Sequence, residues 1–195
     1  ELGIFEMQQD GLREVLNPSE LLLSGNREGL SGVAIAAAVE GVRPLLIEVQ
    51  ALVASAAYGT PQRSSTGFDG KRLNMLLAVL EKRVGFKLMQ KDVFVNIAGG
   101  LRVNDPAIDL AVLAAVLSSN MDIALDEQIC LTGEVGLGGE LRPVNRIDQR
   151  IKEAEKLGFK QIIVPAGQKC DVRDVKIKVV EVSRVSDAFK FLFKK

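Results

Sequence analysis

Apolar runs at residues 31–39 and 44–53 flank Glu40-Gly41, a pattern that predicts two strands joined by a tight turn. The small side chains of these runs suit close packing beneath a helix. A different period follows. Leu73, Leu76, Leu77 and Leu80 recur at the three- and four-residue spacing of a helix that starts near Lys71, with Arg72, Val79 and Arg83 along another side. The leucines are expected inward and the arginines outward. Between these elements, residues 58–70 are rich in Gly, Ser, Thr and Pro and predict an exposed loop carrying Arg63, Ser64, Ser65 and Thr66. Upstream, residues 3–7 read as a strand, Asn17-Pro18-Ser19-Glu20 and the three leucines after it as a capped helical turn, and residues 24–28 as a polar linker.

Downstream, residues 93–97 predict a buried strand, and residues 99–102 a loop leading to Asp105-Pro106, an N-cap followed by proline at the first helical position. That helix is expected to run to about Ser119. Residues 130–135 read as a strand that turns at residues 136–139 into a second arm, 140–143. Asn145 is placed to cap a helix that turns Ile147, Ile151 and Ala154 inward and that Gly158 stops. Strands at 161–164 and 176–182 and a terminal helix at 185–193 complete an α/β (α+β) chain, with a mixed sheet, hairpins and packed helices.

Composition narrows the class. A chain of 195 residues, 47% apolar and 26% charged, has room for one full-sized globular core and a short extra segment. The longest small-residue run, Val33–Val39, is closed by Glu40 and falls short of the roughly 18 residues that a membrane span needs, so no membrane partner and a cytoplasmic location are expected. A start at Glu1 with neither methionine nor signal peptide is expected of a piece of something longer.

Histidine is absent, which removes histidine-based triads and general bases and most zinc sites. Cys130 and Cys170 lie in unrelated contexts and form no CxxC motif, so both are expected to be reduced and inert. Basic and acidic residues balance at 25 each, but residues 142–195 carry 14 basic groups against 7 acidic. A solvated helical surface accounts for that bias as readily as a phosphate-binding face does. Gly70-Lys71 lacks the first glycine of a P-loop, and Gly136-x-Gly138 leads into a strand rather than into the helix that a dinucleotide site requires.

The segment Thr132-Gly133-Glu134-Val135-Gly136-Leu137-Gly138-Gly139-Glu140-Leu141-Arg142-Pro143-Val144 closely resembles the conserved hairpin of Lon-type proteases. Asp105-Pro106-Ala107-Ile108-Asp109 stands where those enzymes carry DGPSAG with the nucleophilic serine. Residues 1–14 and 67–83 resemble segments of the RadA (Sms) family of bacterial DNA-repair proteins, so that the likeness covers essentially the whole chain. It implies a tail of a preceding ATPase domain and linker at 1–28 and a Lon-protease-like domain at 29–195. It further implies a zinc finger and a RecA-like ATPase ahead of them, with ATP, Mg and Zn held there and none in this segment. The partners implied are branched, single- or double-stranded DNA, further copies of the chain in a hexameric ring, and a recombinase protein. The whole protein of that family is a DNA-dependent ATPase and helicase.

A Ser–Lys dyad needs a hydroxyl nucleophile and a neutral amine to take its proton. Aligned on Pro106 the serine position holds Ala107, and aligned on Pro143-Val144 the lysine position is expected at Asp148, so peptidase chemistry is not expected. Asp109 and Asp148 are read as stabilising helix N-termini. Paired carboxylates at Asp105 and Asp109 are weak grounds for a cation site. Ser118 and Ser119 read as a helix end rather than as a displaced nucleophile. What remains for function is charge. Arg43, Lys71, Arg72, Arg102, Arg142 and Arg146 are the candidates for contacts to a DNA backbone. An assembly scaffold that holds no DNA, and a residual peptidase using another serine, are the alternatives.

Overall fold

A strand of alanines under a helix of alanines sets the architecture. In the computed structural model, which describes residues 5–15, 19, 22–23, 29–56, 59–171 and 173–193, β3 (Val33–Glu40) turns directly into β4 (Arg43–Ser55), with Glu40 opposite Arg43. Successive side chains alternate between faces. Ala34, Ala36 and Ala38 of β3 pack with Ala111, Ala114 and Ala115 of α2 (Asp109–Met121), while Ile35 and Ala37 face the opposite side of the sheet. Small side chains on both partners let helix and strand approach closely. Residues 110–118 of α2 are buried all round, which is why this helix shows no polar stripe.

Around that pair a seven-stranded mixed sheet forms in the order β11-β10-β7-β3-β4-β6-β5. Its further members are β5 (Arg63–Thr66), β6 (Lys91–Ile97), β7 (Ile129–Leu131), β10 (Gln161–Pro165) and β11 (Lys178–Val182). The pairs β3–β4 and β4–β6 are antiparallel; β5–β6, β3–β7, β7–β10 and β10–β11 are parallel. α1 (Gly70–Val79) and α2 cover one face, and α3 (Ile147–Lys156) covers the other at β3 and β4. α4 (Val185–Leu192) packs against β11. Two short hairpins stand apart from this sheet: β1 (Phe5–Gln8) with β2 (Gly11–Glu14), and β8 (Glu134–Val135) with β9 (Leu141–Arg142). Among the described residues no helix is long and apolar enough to cross a membrane.

Where β3 begins, Gly32 has no room for a side chain. At φ 80° an added Cβ would stand 2.2 Å from the Ala51 carbonyl oxygen. Its amide donates to Ser118 Oγ at 2.8 Å, and the Ser118 hydroxyl donates onward to the Ile123 carbonyl, which ties the end of α2 to the entry of β3. Ser119 accepts from the Val53 amide at 2.9 Å. Both serines therefore close a helix end, as expected.

Three sequence expectations need correcting, and one helix end carries no expectation from the sequence. Residues 63–66, read as loop, form edge strand β5. A strand paired on one side only and exposed to solvent carries no apolar alternation, so its polar sequence hid it. The 130–135 run is broken at Thr132-Gly133, where the chain leaves the sheet after β7 and re-forms as β8. Asn145 does not cap α3. Arg146 occupies the cap position with left-handed backbone, φ 53°, and no side-chain bond. Finally, α1 closes with a π turn at Leu80–Val84, whose Leu80 carbonyl accepts from both Gly85 and Phe86. The expectations for residues 17–18, 20–21 and 24–28, and for the start of the 3–7 strand, lie outside the described residues; within them, Ser19 and Leu22 are helical.

Candidate functional site

Asp105 is the pivot of the region whose sequence resembles the nucleophile segment of Lon-type proteases. Its Oδ1 accepts from the Ala107 amide at 3.1 Å, capping the 3-10 turn Pro106–Ile108 that leads into α2. Its Oδ2 accepts from the Val39 amide at the end of β3 and from Arg150 Nη1, at 2.8 and 2.7 Å. Arg150 also reaches the Ala37 carbonyl at 2.7 Å, the Asn145 carbonyl at 2.9 Å and Asn145 Oδ1 at 2.7 Å. A guanidinium with 0% exposure is thus fully partnered, the condition under which a buried charge is tolerated.

Asp148 does not take the place expected of it. Its carboxylate accepts from the Asp171 amide at 2.8 Å and lines an open depression with Lys169, Cys170 and Arg173. The α3 side chain that meets the Asp105–Ala107 turn is Arg150, and Ala107 itself is a buried methyl at 0% exposure. The signal for Arg150 was present in the helix period. Ile147, Arg150, Ile151 and Ala154 fall at i, i+3, i+4 and i+7, one stripe, and all four are buried. A guanidinium only donates hydrogen bonds, so it cannot accept the proton of a nucleophile.

A second ion pair lies on the far side of the same turn. Asp109, fully enclosed in the first turn of α2, accepts from Arg72 Nε at 2.7 Å and from Arg72 Nη2, and its Oδ2 also takes the Val135 amide at 3.0 Å. Burial lifts the Asp109 carboxyl above its ordinary range, against the pull of Arg72. The Arg72 guanidinium is raised by its bond to Asp109. The first causes differ: burial acts on the acid, whereas the bond to that acid raises the base against the effect of its own burial. Asp105 and Asp109 are each committed to a different arginine and form no joint cation site. Burial pushes the Cys130 thiol to about 12 and raises Cys170 as well, leaving neither as a ready nucleophile.

The six basic candidates fall into three places. Arg72, expected to point outward, is instead turned into the Asp109 pair, with Glu134 Oε1 3.8 Å away; Arg142 approaches the same Glu134 oxygen at 3.8 Å. Arg146 donates to the Val42 carbonyl at 3.3 Å, at the β3–β4 turn where half-buried Arg43 begins β4. Lys71 and Arg102 are exposed near the β5 edge. There an open groove of about 640 Å³ is lined by Arg63, Ser64, Thr66, Gly67, Asp69 and Arg102. Arg63, expected in an exposed loop but not among the six candidates, lines the same groove as Arg102.

Two expected outcomes test the buried charges. Arg150→Ala should cost about 3–5 kcal/mol in urea unfolding because it strands Asp105, whereas Asp105→Asn with Arg150→Met should cost much less. Equal losses would show that the pair is not the cause. For Asp109 the folded carboxyl holds its proton more tightly than the unfolded one. Wild-type stability relative to Asp109→Asn should therefore rise as pH falls from 7 through the raised value, and level off below the ordinary carboxylate range. Urea midpoints of the two proteins at pH 7, 5 and 4 check this; a difference that shrinks on acidification would contradict it.

Comparison with known proteins identifies the family. The family model described as subunit ChlI of Mg-chelatase matches residues 62–168, more than half of the chain and the stretch from β5 to β10. DNA repair protein RadA from Synechocystis sp. is 50% identical over 95% of the chain, that from Bacillus subtilis 47% over 97%, and that from Streptococcus pneumoniae 46% over 99%. The chain covers 36%, 42% and 46% of these relatives' own lengths. The chain therefore belongs to the family described as subunit ChlI of Mg-chelatase, and along nearly all its length it is homologous to one segment of DNA repair protein RadA.

Proposed function

We propose that this chain is a non-catalytic module of a RadA-type DNA-repair ATPase, holding the nucleic-acid backbone in the groove beside β5. The observation that carries the reading is the groove itself. Arg63 and Arg102 stand exposed on its wall, Ser64 and Thr66 offer hydroxyls, and Gly67 and Gly100 keep the backbone close to any ligand. Arginines, hydroxyls and open main chain contact phosphates without reading bases, which matches the non-specific backbone binding of a repair motor. Asp69 is the acid on this wall, and its carboxylate is already occupied by the Arg72 amide. The absence of peptidase chemistry belongs to the same proposal and is supported by Ala107, which has no side-chain oxygen, and by the donor-only guanidinium of Arg150, both tied to Asp105, the one through its amide and the other through Nη1.

A second reading, self-association, is favoured by one feature. Leu52 and Phe94 sit opposite each other in the β4–β6 register, 60% and 37% exposed, on a sheet surface that none of the described helices covers. A contiguous apolar patch left open on a sheet marks a surface for association.

Arg63→Ala combined with Arg102→Ala should weaken duplex binding by roughly tenfold at low salt and reduce the slope of log affinity against log salt by about two. Unchanged affinity and slope in fluorescence anisotropy would count against the groove. Leu52→Asp should shift sedimentation toward the monomer; an identical distribution for variant and wild type removes the second reading.

A further inference from the structure

The far end of α1 opens onto another polar cavity, of about 270 Å³, which the reading above does not use. Three stretches distant in sequence build its wall: Lys82 and Arg83 in the π turn, Gly138 and Gly139 in the β8–β9 turn, and Arg184 and Ser186 where β11 passes into α4.

These stretches are bonded to one another. The Val185 amide donates to the Gly139 carbonyl at 3.0 Å, the Leu141 amide to the Ser183 carbonyl at 2.9 Å, and Arg83 Nε to the Leu137 carbonyl at 3.2 Å. Glu140 and Arg184 are further joined as an antiparallel bridge. The three cations are therefore presented by a braced frame. Gly139 keeps its wall thin: at φ 81° an added Cβ would lie 3.2 Å from the Arg83 Cβ and push that side chain aside.

Acidic neighbours do not cancel this charge. Glu81 is turned away to accept from the Leu88 amide at 3.0 Å, and Asp187 lies 3.7 Å from Lys190. Glu140 alone folds over the turn, its Oε2 2.6 Å from where a Cβ on Gly138 would stand, which leaves three cations facing one carboxylate.

We propose that this cavity binds a phosphate group, gripped by Lys82, Arg83 and Arg184 with the Ser186 hydroxyl as a further donor. Forked guanidinium donors and an ammonium point charge suit the several oxygens and double charge of a phosphate. The same chemistry is offered by a free phosphate and by the phosphodiester of a nucleic acid.

Titrating the 195-residue chain with inorganic pyrophosphate should give saturable shifts of the Gly138, Gly139 and Ser186 amide resonances. Lys82→Ala and Arg184→Ala, both at exposed positions, should each weaken that binding about tenfold while leaving the thermal transition in place. Gly70, at the groove, and Val84, at the cavity, are separated by a helical rise of roughly 20 Å. Arg63→Ala with Arg102→Ala should therefore bind pyrophosphate as wild type does, so that failure of the groove and failure of this site are told apart. Duplex DNA that displaces pyrophosphate assigns the site to a phosphodiester backbone; duplex that leaves it bound assigns the site to free phosphate. The absence of saturable shifts, or shifts undiminished in both single variants, overturns the proposal.

Discussion

One buried ion pair holds the two faces of the sheet in register. Arg150 rises from α3, on one face, and Asp105 begins the turn that launches α2, on the other; between them they claim the Ala37 carbonyl and the Val39 amide of β3. With those bonds made, the small residues of β3 are fixed against α2, and the turn that positions Ala107 has a single arrangement. The gain lies in placement more than in net stability, because two charges withdrawn from water recover little more than they lose.

Much of this was legible beforehand, and the parts that were not share a cause. The β3–β4 hairpin, the leucine stripe of α1 and the proline-led start of α2 all follow apolar periods, and each forms where those periods place it. The period could not show β5, because an edge strand facing water has no apolar face to display. Nor did aligning a motif locate the inward cation of α3. Counting from Pro143 landed on Asp148, whereas the buried stripe of the helix runs through Arg150. Charged residues inside an apolar stripe are the informative exceptions to burial, and one was passed over here.

The hairpin, the capped turn and the helix facing it are all in place, with main-chain bonds such as Gly133 to Ala107 at 2.7 Å holding them. Within that frame Ala107 contributes a buried methyl and Arg150 a buried guanidinium. Surface charge, by contrast, is divided among separate places: the groove beside β5, the shared Glu134 oxygen and the β3–β4 turn. A sequence count of arginines merges these places, and only the fold separates them.

The strand order has a consequence for how the chain acquires its shape. β3 is flanked by β4, its immediate successor, and by β7, which follows only after β4, β5, β6 and two helices; Ile35 meets Cys130 there. Half of the sheet can zip locally, while the other half must close a long loop before any pairing rewards it. Until β7 arrives, β3 presents an alanine-rich edge whose one charge is the terminal Glu40, so a nascent or truncated polypeptide ending ahead of residue 129 exposes a template for intermolecular stacking that the finished molecule conceals.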